Sequence, residues 1–171
     1  GTSIGDQIRR VLGSLENISM LPRTEFMLFS ASRAQHVEEV IRPHLESGGI
    51  VVCDRYLDSS LAYQGYGHGL SLQDLRAITF FATGGLMPDL TLLLDVPAEV
   101  GLRRREEGGS WNRLDEYSLD FHRRVRAGYQ ELVAAEPERW ATIDATPSIE
   151  AVQKQIRTVV DARLPEVGKE G

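Results

Sequence analysis

The 171-residue chain has a single cysteine, Cys53, which excludes an internal disulfide framework. Its four histidines (His36, His44, His68 and His122) are scattered without metal-ligand spacing, so no zinc centre is read. Basic excess is missing as well: 19 Lys and Arg stand against 25 Asp and Glu, a net charge of −6. A nucleic-acid backbone binder carries a basic face, and that class is set aside. No apolar run approaches the roughly 20 residues of a membrane-spanning helix. What remains is ordinary for one soluble domain with one sizeable core, 42% hydrophobic and 26% charged residues. Cys53 ends the apolar run Ile50-Val51-Val52-Cys53 and reads as a small core residue. Its solitude points, weakly, to a cytoplasmic setting.

Helical periodicity covers Ile4 to Leu12, with Gly13 as a stop. Pro22 opens a long helix ending near Ser47-Gly48-Gly49, with apolar positions at threes and fours. The run Ile50 to Cys53 predicts a strand buried on both faces. Ser59 to Gln64 reads as a short helix and Gly65-Tyr66-Gly67-His68-Gly69 as a loop, its glycines lacking dinucleotide-fingerprint spacing. Ser71 with Asp74 starts a helix through about Thr83. Leu90 to Val96 predicts a second two-sided buried strand, and Pro97 starts a helix carrying Arg103, Arg104 and Arg105. Glu106 to Asn112 reads as a flexible gap around Gly108-Gly109. Leu119, Val125, Tyr129 and Leu132 lie on a helix of roughly five turns. Trp140 to Ile143 is a third strand, and Thr146-Pro147 caps a last helix through about Leu164, with a polar tail from Pro165. Strands alternating with helices predict an α/β sandwich with a parallel sheet and helices on both faces, one domain over residues 1–171.

The chemistry concentrates after Cys53. Asp54-Arg55-Tyr56 would sit at the carboxyl end of a buried strand, where open α/β sheets bind ligands. An Asp there can hold a hydrated Mg²⁺ and an Arg can fork onto phosphate; a plain ion pair capping the strand is the alternative. Phe29 and Arg33 are four apart on one helix, so they share a face and can address one ligand. Equally, Phe29 can be core and Arg33 a solvated charge. The run Arg103-Arg104-Arg105-Glu106-Glu107 is either a solvated helix face or part of a phosphate-binding lid.

The stretch Asp54 to Gly65, with Ser59, Ser60 and Ala62-Tyr63-Gln64-Gly65, resembles the acceptor-site signature of thymidylate kinases. Gly1-Thr2-Ser3-Ile4-Gly5, Leu28-Phe29-Ser30-Ala31-Ser32-Arg33, Pro88-Asp89-Leu90-Thr91, Leu94-Asp95-Val96 and Ile143-Asp144-Ala145-Thr146 resemble further family segments in the same order. The resemblance implies a P-loop kinase fold, dTMP and ATP as substrates, Mg²⁺, and a homodimer. It implies Phe29 stacked on the base, Arg33 on a ring carbonyl, and Ser59, Ser60 and Gln64 around the acceptor. Tyr63 would lie against the deoxyribose, Arg55 on the 5′-phosphate, and Asp54 near Mg²⁺ through water. Residues 103–116 resemble the mobile lid, with Arg113 at the transition state and Arg104 at the donor nucleotide. Thr146 and Pro147 resemble the loop beside the adenine. Where the family reads Asp-Arg-x-Glu, this chain has Asn112-Arg113-Leu114-Asp115.

The family's opening strand and glycine-rich loop (G-x-x-x-x-G-K-[ST]) do not occur in these 171 residues, and position 1 is Gly. The expectation is a chain cut from something longer: without a strand between those at Ile50 and Leu90 the loss of ladder partners exceeds what the fold's stability can bear, so the working protein contains the upstream segment. Two rivals follow: a related nucleotide kinase of different base preference, and a nucleotide-binding or assembly protein without transferase activity.

Overall fold

The computed structural model describes residues 1–109 and 112–163. Helix α1 (Ser3–Gly13) is capped by the Thr2 hydroxyl, which accepts from the Gly5 amide at 3.0 Å. Helix α2 (Pro22–His36) opens on Pro22, as the sequence predicts. It passes through a π-helical turn (Val37–Ile41) into α3 (Arg42–Glu46), so the long helix is continuous but locally widened. Pro43 supplies the reason. It has no N–H to donate, and its ring crowds the carbonyl four residues earlier, which disfavours regular α-turns through Val37–Ile41.

Helix α4 (Leu57–Ser60) likewise widens into a π-helical segment, Leu61–Gly67. The sequence reading ends a helix at Gln64 and makes the following glycines a loop. Here Gly65 and Gly67 continue the helix, which ends before Gly69 with its φ of 75°, and at Gly67 a neighbour leaves no room for a side chain. A Cβ on Gly67 would lie 2.7 Å from the Phe121 ring, and one on Gly128 would lie 2.4 Å from Tyr66. Helix α7 (Leu119–Ala135) therefore packs backbone-close along this segment.

Helix α5 (Leu72–Thr83) starts where the Ser71 hydroxyl accepts from the Asp74 amide and stops at Gly84, whose φ of 57° is left-handed. Strand β1 (Thr91–Asp95) then leads through α6 (Ala98–Glu107) and α7 to β2 (Trp140–Asp144), and α8 (Ile149–Arg163) follows. The strands are parallel, Thr91 opposite Trp140 and Asp95 opposite Asp144. The helical crossover that parallel neighbours require is α6 with α7.

Two strand expectations are corrected. Ile50–Cys53 is not a strand, and Ile50 and Val52 are 62% and 95% exposed. Cys53 is exposed rather than core. Strand β1 is present but incompletely covered, with Leu94 49% exposed. An apolar run states what a strand would bury; it becomes a strand only when a neighbour pairs its N–H and C=O groups. Among the described residues β1 pairs with β2 alone and nothing pairs with Ile50–Cys53.

The core gathers Phe26, Leu57, Leu61, Leu75, Phe121, Val125, Leu132 and Trp140, so it sits between α2, the α4 segment, α5 and α7. One ion pair ties it to the sheet. Arg139 donates through Nη1 and Nη2 to both oxygens of buried Asp58 at 2.8 Å, and through Nη1 to Thr91 Oγ1 at 2.9 Å. Its guanidinium also lies 5.0 Å from the Trp140 ring. Helix α4, directly after Asp54-Arg55, is thereby fixed to the start of both strands. Asp58→Ala should cost about 3 kcal/mol of unfolding free energy, the scale for breaking a buried pair. A denaturant midpoint shift worth less than about 1 kcal/mol would show that the pair is dispensable.

Candidate active site

Arg33, near the end of α2, reaches across to α4. Its Nη2 donates to Ser60 Oγ at 2.8 Å and to the Tyr56 carbonyl at 3.3 Å, and the guanidinium stands 5.8 Å from the Tyr56 ring. Burial lowers its pKa from the usual arginine value, and electrostatic attraction to Tyr56 opposes that. Phe29, half-buried, lies one turn earlier on the same face. Gln64 follows Ser60 by one turn and is 1% exposed. Two atoms in this group are buried without a hydrogen-bond partner among the described residues: Arg33 Nη1, a donor, and Gln64 Oε1, an acceptor. Such atoms fit a ligand that offers an acceptor and a donor side by side.

Arg55 stands at the rim, exposed, its guanidinium 5.3 Å from the centre of the Tyr63 ring. Its φ is 66°, the one non-glycine residue in the left-handed region among those described. Tyr63 packs edge-on against Phe121 at 6.1 Å. Behind them, Tyr129 donates to Ser59 Oγ at 2.8 Å. Burial pushes the Tyr129 phenol up to about 12, so it is a neutral donor at physiological pH. Arg33, Arg55, Ser59, Ser60, Tyr63 and Gln64 thus lie on adjoining turns around one region, with Phe29 beside Arg33. Asp54 is exposed and makes no ion pair among the described residues.

Arg113 is placed differently from the sequence expectation. It is 2% exposed and pairs with Glu25, itself wholly buried, at 2.6 Å through Nη2. Its Nε donates to the Leu12 carbonyl at 2.9 Å and its Nη1 to the Tyr117 hydroxyl at 2.9 Å. Tyr117 in turn donates to Glu25 Oε2 at 2.8 Å, its phenol pushed up to about 12 by burial and by Glu25. Gln64 Nε2 donates to Glu25 Oε1 at 2.6 Å. His68 Nε2 stands 3.8 Å from the same oxygen, and burial lowers its pKa, which favours the neutral ring. Each Arg113 nitrogen makes one such bond, and with the side chain 2% exposed these contacts tie the turn Arg113–Glu116 to α1 and α2.

The Asn112-Arg113-Leu114-Asp115 departure also acquires a structural meaning. Asn112 Oδ1 accepts from the Leu114 amide at 2.9 Å, and Asp115 Oδ2 accepts from the Asn112 amide at 2.9 Å, a capping box on the 3₁₀ turn Arg113–Glu116. Asp115 also pairs with Arg105 at 3.0 Å. Of the expected flexible gap, Ser110 and Trp111 lie outside the described residues, as do Leu164 and the tail. Arg104 leaves α6 toward the loop after β2, donating to the Ala145 carbonyl at 2.7 Å and the Thr146 carbonyl at 2.8 Å. The Thr146 amide and hydroxyl both bind Asp144 Oδ1, at 2.9 and 2.7 Å. A recess of about 430 Å³ opens there, lined by Leu94, Arg104, Ala145, Pro147, Ile149 and Val152.

Sequence reasoning passed over Glu25, Asp58, Tyr129 and Arg139. Asp58 sits inside the signature stretch and had a positional signal. Glu25, amid the polar start of a helix, had none, since burial of a charge is visible only after packing.

Comparison with known proteins bears on the whole chain. A family model described as thymidylate kinase matches residues 1–156. Among curated relatives, a thymidylate kinase of Roseiflexus sp. (strain RS-1) is 52% identical, covering 98% of this chain and 79% of its own length. Thymidylate kinases of Thermomicrobium roseum and Desulfovibrio desulfuricans are 51% and 48% identical, covering 100% and 99% of this chain and 79% and 81% of theirs. Similarity of that breadth, running through the Arg33, Arg55 and Arg104 segments alike, leaves one conclusion: the chain belongs to the thymidylate kinase family.

Proposed function

We propose that the protein transfers the γ-phosphate of ATP to dTMP, giving dTDP. The observation that carries this reading is the pair of orphaned buried atoms, Arg33 Nη1 and Gln64 Oε1, within a turn of Phe29 and Tyr63. A thymine ring offers a flat face, a carbonyl acceptor and an N–H donor on one edge, which matches that set. Phe29 stacks on the ring, Arg33 binds a ring carbonyl, and Gln64, with Ser59 and Ser60 supporting, addresses the N–H. Tyr63 lies against the deoxyribose. Arg55 binds the 5′-phosphate, which is already anionic, so no general base is required.

Arg104, Thr146 and Pro147 border the donor nucleotide at the recess after β2. With Arg113 committed to Glu25, Arg103 is the lid cation open to a ligand, exposed and without an ion pair among the described residues. Metal fits in one manner only. The described residues contain no cluster of three or more His, Cys, Asp or Glu side chains able to enclose an ion. A Mg²⁺ held mainly by water and phosphate oxygens, with Asp54 reaching it through water, is compatible with that donor set. Such an ion neutralises charge on the phosphates when bound.

The exposed Leu94 and the unpaired apolar Ile50–Cys53 are surfaces on which a further strand would pair and pack. Exposed Ile4, Val11 and Met27 on α1 and α2 are the apolar faces of a homodimer. Among the described residues no helix is long and apolar enough to cross a membrane. The free, exposed Cys53 suits a reducing cytoplasmic setting.

Phe29→Ala should weaken dTMP binding by about 1–3 kcal/mol, the range for base–aromatic stacking. Unchanged affinity in a calorimetric titration would remove Phe29 from the site. Tyr63→Gly should narrow the preference for a deoxy over a ribo acceptor. The comparison is kcat/KM for dUMP against UMP, and a ratio that stays put would discard the steric role.

A further inference from the structure

We propose that Glu25, which is wholly enclosed, sets base specificity by locking the orientation of the Gln64 amide. This rests on the reading of Gln64 as a base contact. An amide side chain can present either its oxygen or its NH₂ to a ligand, and the two faces select opposite partners. Gln64 is held on one side by Glu25 Oε1, which receives Gln64 Nε2 at 2.6 Å. Glu25 is paired with Arg113 at 2.6 Å and receives the Tyr117 hydroxyl at 2.8 Å, so it acts as a carboxylate that only accepts. The NH₂ of Gln64 must therefore face Glu25, and Oε1 is left as the presented atom, buried and unpartnered. One turn earlier on the same helix, Ser60 receives Arg33 Nη2 at 2.8 Å, and Arg33 Nη1 is a buried donor without a partner among the described residues.

An acceptor next to a donor reads an imide edge, N–H beside C=O. It rejects the edge of cytosine, where an acceptor nitrogen stands beside an amino donor. Turning Gln64 over would remove half of that discrimination. Glu25 forbids the turn because the carbonyl oxygen of Gln64 would then meet a carboxylate in a site without water access. Glu25 is in this sense a positioning residue. It touches no substrate and acts through the one that does.

The test compares three acceptors, dTMP, dUMP and dCMP, in the full chain with ATP. dTMP and dUMP share the imide edge; dCMP has the reversed one. Glu25→Gln retains the shape but makes position 25 able to donate, so Gln64 can turn. The ratio of kcat/KM for dTMP over dCMP should fall about tenfold, the worth of one hydrogen bond, while dTMP over dUMP stays within about twofold. General loosening of the site would lower all three and move neither ratio. Because Glu25→Gln leaves Arg113 buried without its partner, the double variant Glu25→Gln with Arg113→Met removes both charges and carries the same expectation if the single variant does not fold.

Gln64→Ala separates the two layers of the argument. If it shifts the dTMP over dCMP ratio while the Glu25 variants do not, the lock is wrong and the base contact stands. If neither shifts it, both are wrong.

Discussion

A carboxylate removed entirely from solvent is tolerable only when every lone pair that matters has a donor, and that requirement organises this molecule. Glu25 belongs to α2, Arg113 and Tyr117 to the 3₁₀ turn before α7 and the residue that ends it, Gln64 to the widened helix after α4, and the Leu12 carbonyl that Arg113 also binds to α1. Four separate stretches of chain must arrive together before the charge is compensated. The cost of desolvating such a pair can match its Coulomb attraction, so its presence adds little net stability. What it adds is intolerance of misplacement, since an arrangement that loses one partner leaves a bare charge in the interior.

That intolerance suits a binding site assembled from helix faces. The proposed acceptor residues come from α2 and from the helix after Asp54, apart from Arg55, which stands in the bend just before it. Arg139 and Asp58 fix the second helix to the strands, and Glu25 with Gln64 fixes it to the first. Helix widening at Leu61–Gly67 and the bare backbone at Gly67 and Gly128 then let α7 close against it. The group is held from three sides before any ligand arrives, which reduces the ordering that binding must bring about.

Much of this architecture was legible beforehand. Periodicity marked α1 and α7, Pro22 and Gly48-Gly49 bounded the helix that runs from α2 to α3, and Ser71 with Asp74 marked the start of α5, because those signals are local. Two strands were found for the same reason. Ile50–Cys53 was misread because pairing is a property of neighbours and not of the segment. The π-helical turns escaped notice: Pro43 lies just after the first, where its effect falls on the preceding turn, and at the second the fit of Phe121 against Gly67 exists only once α7 has packed. Arg113 was assigned to the chemistry because its motif carries a charge near other charges. Its enclosure with Glu25, 88 positions away, is a property of the packed chain that the motif does not carry.

Arg55 occupies a backbone conformation that side chains with a β-carbon avoid, at a cost of about 1–3 kcal/mol. Glycine would sit there without penalty, yet glycine has no guanidinium for the phosphate contact proposed for this position. The residue best suited to the fold at this position is thus the one least suited to the ligand. Any drift or engineering that rewards thermal robustness alone would be drawn toward that replacement, and would disarm the enzyme as it hardened it.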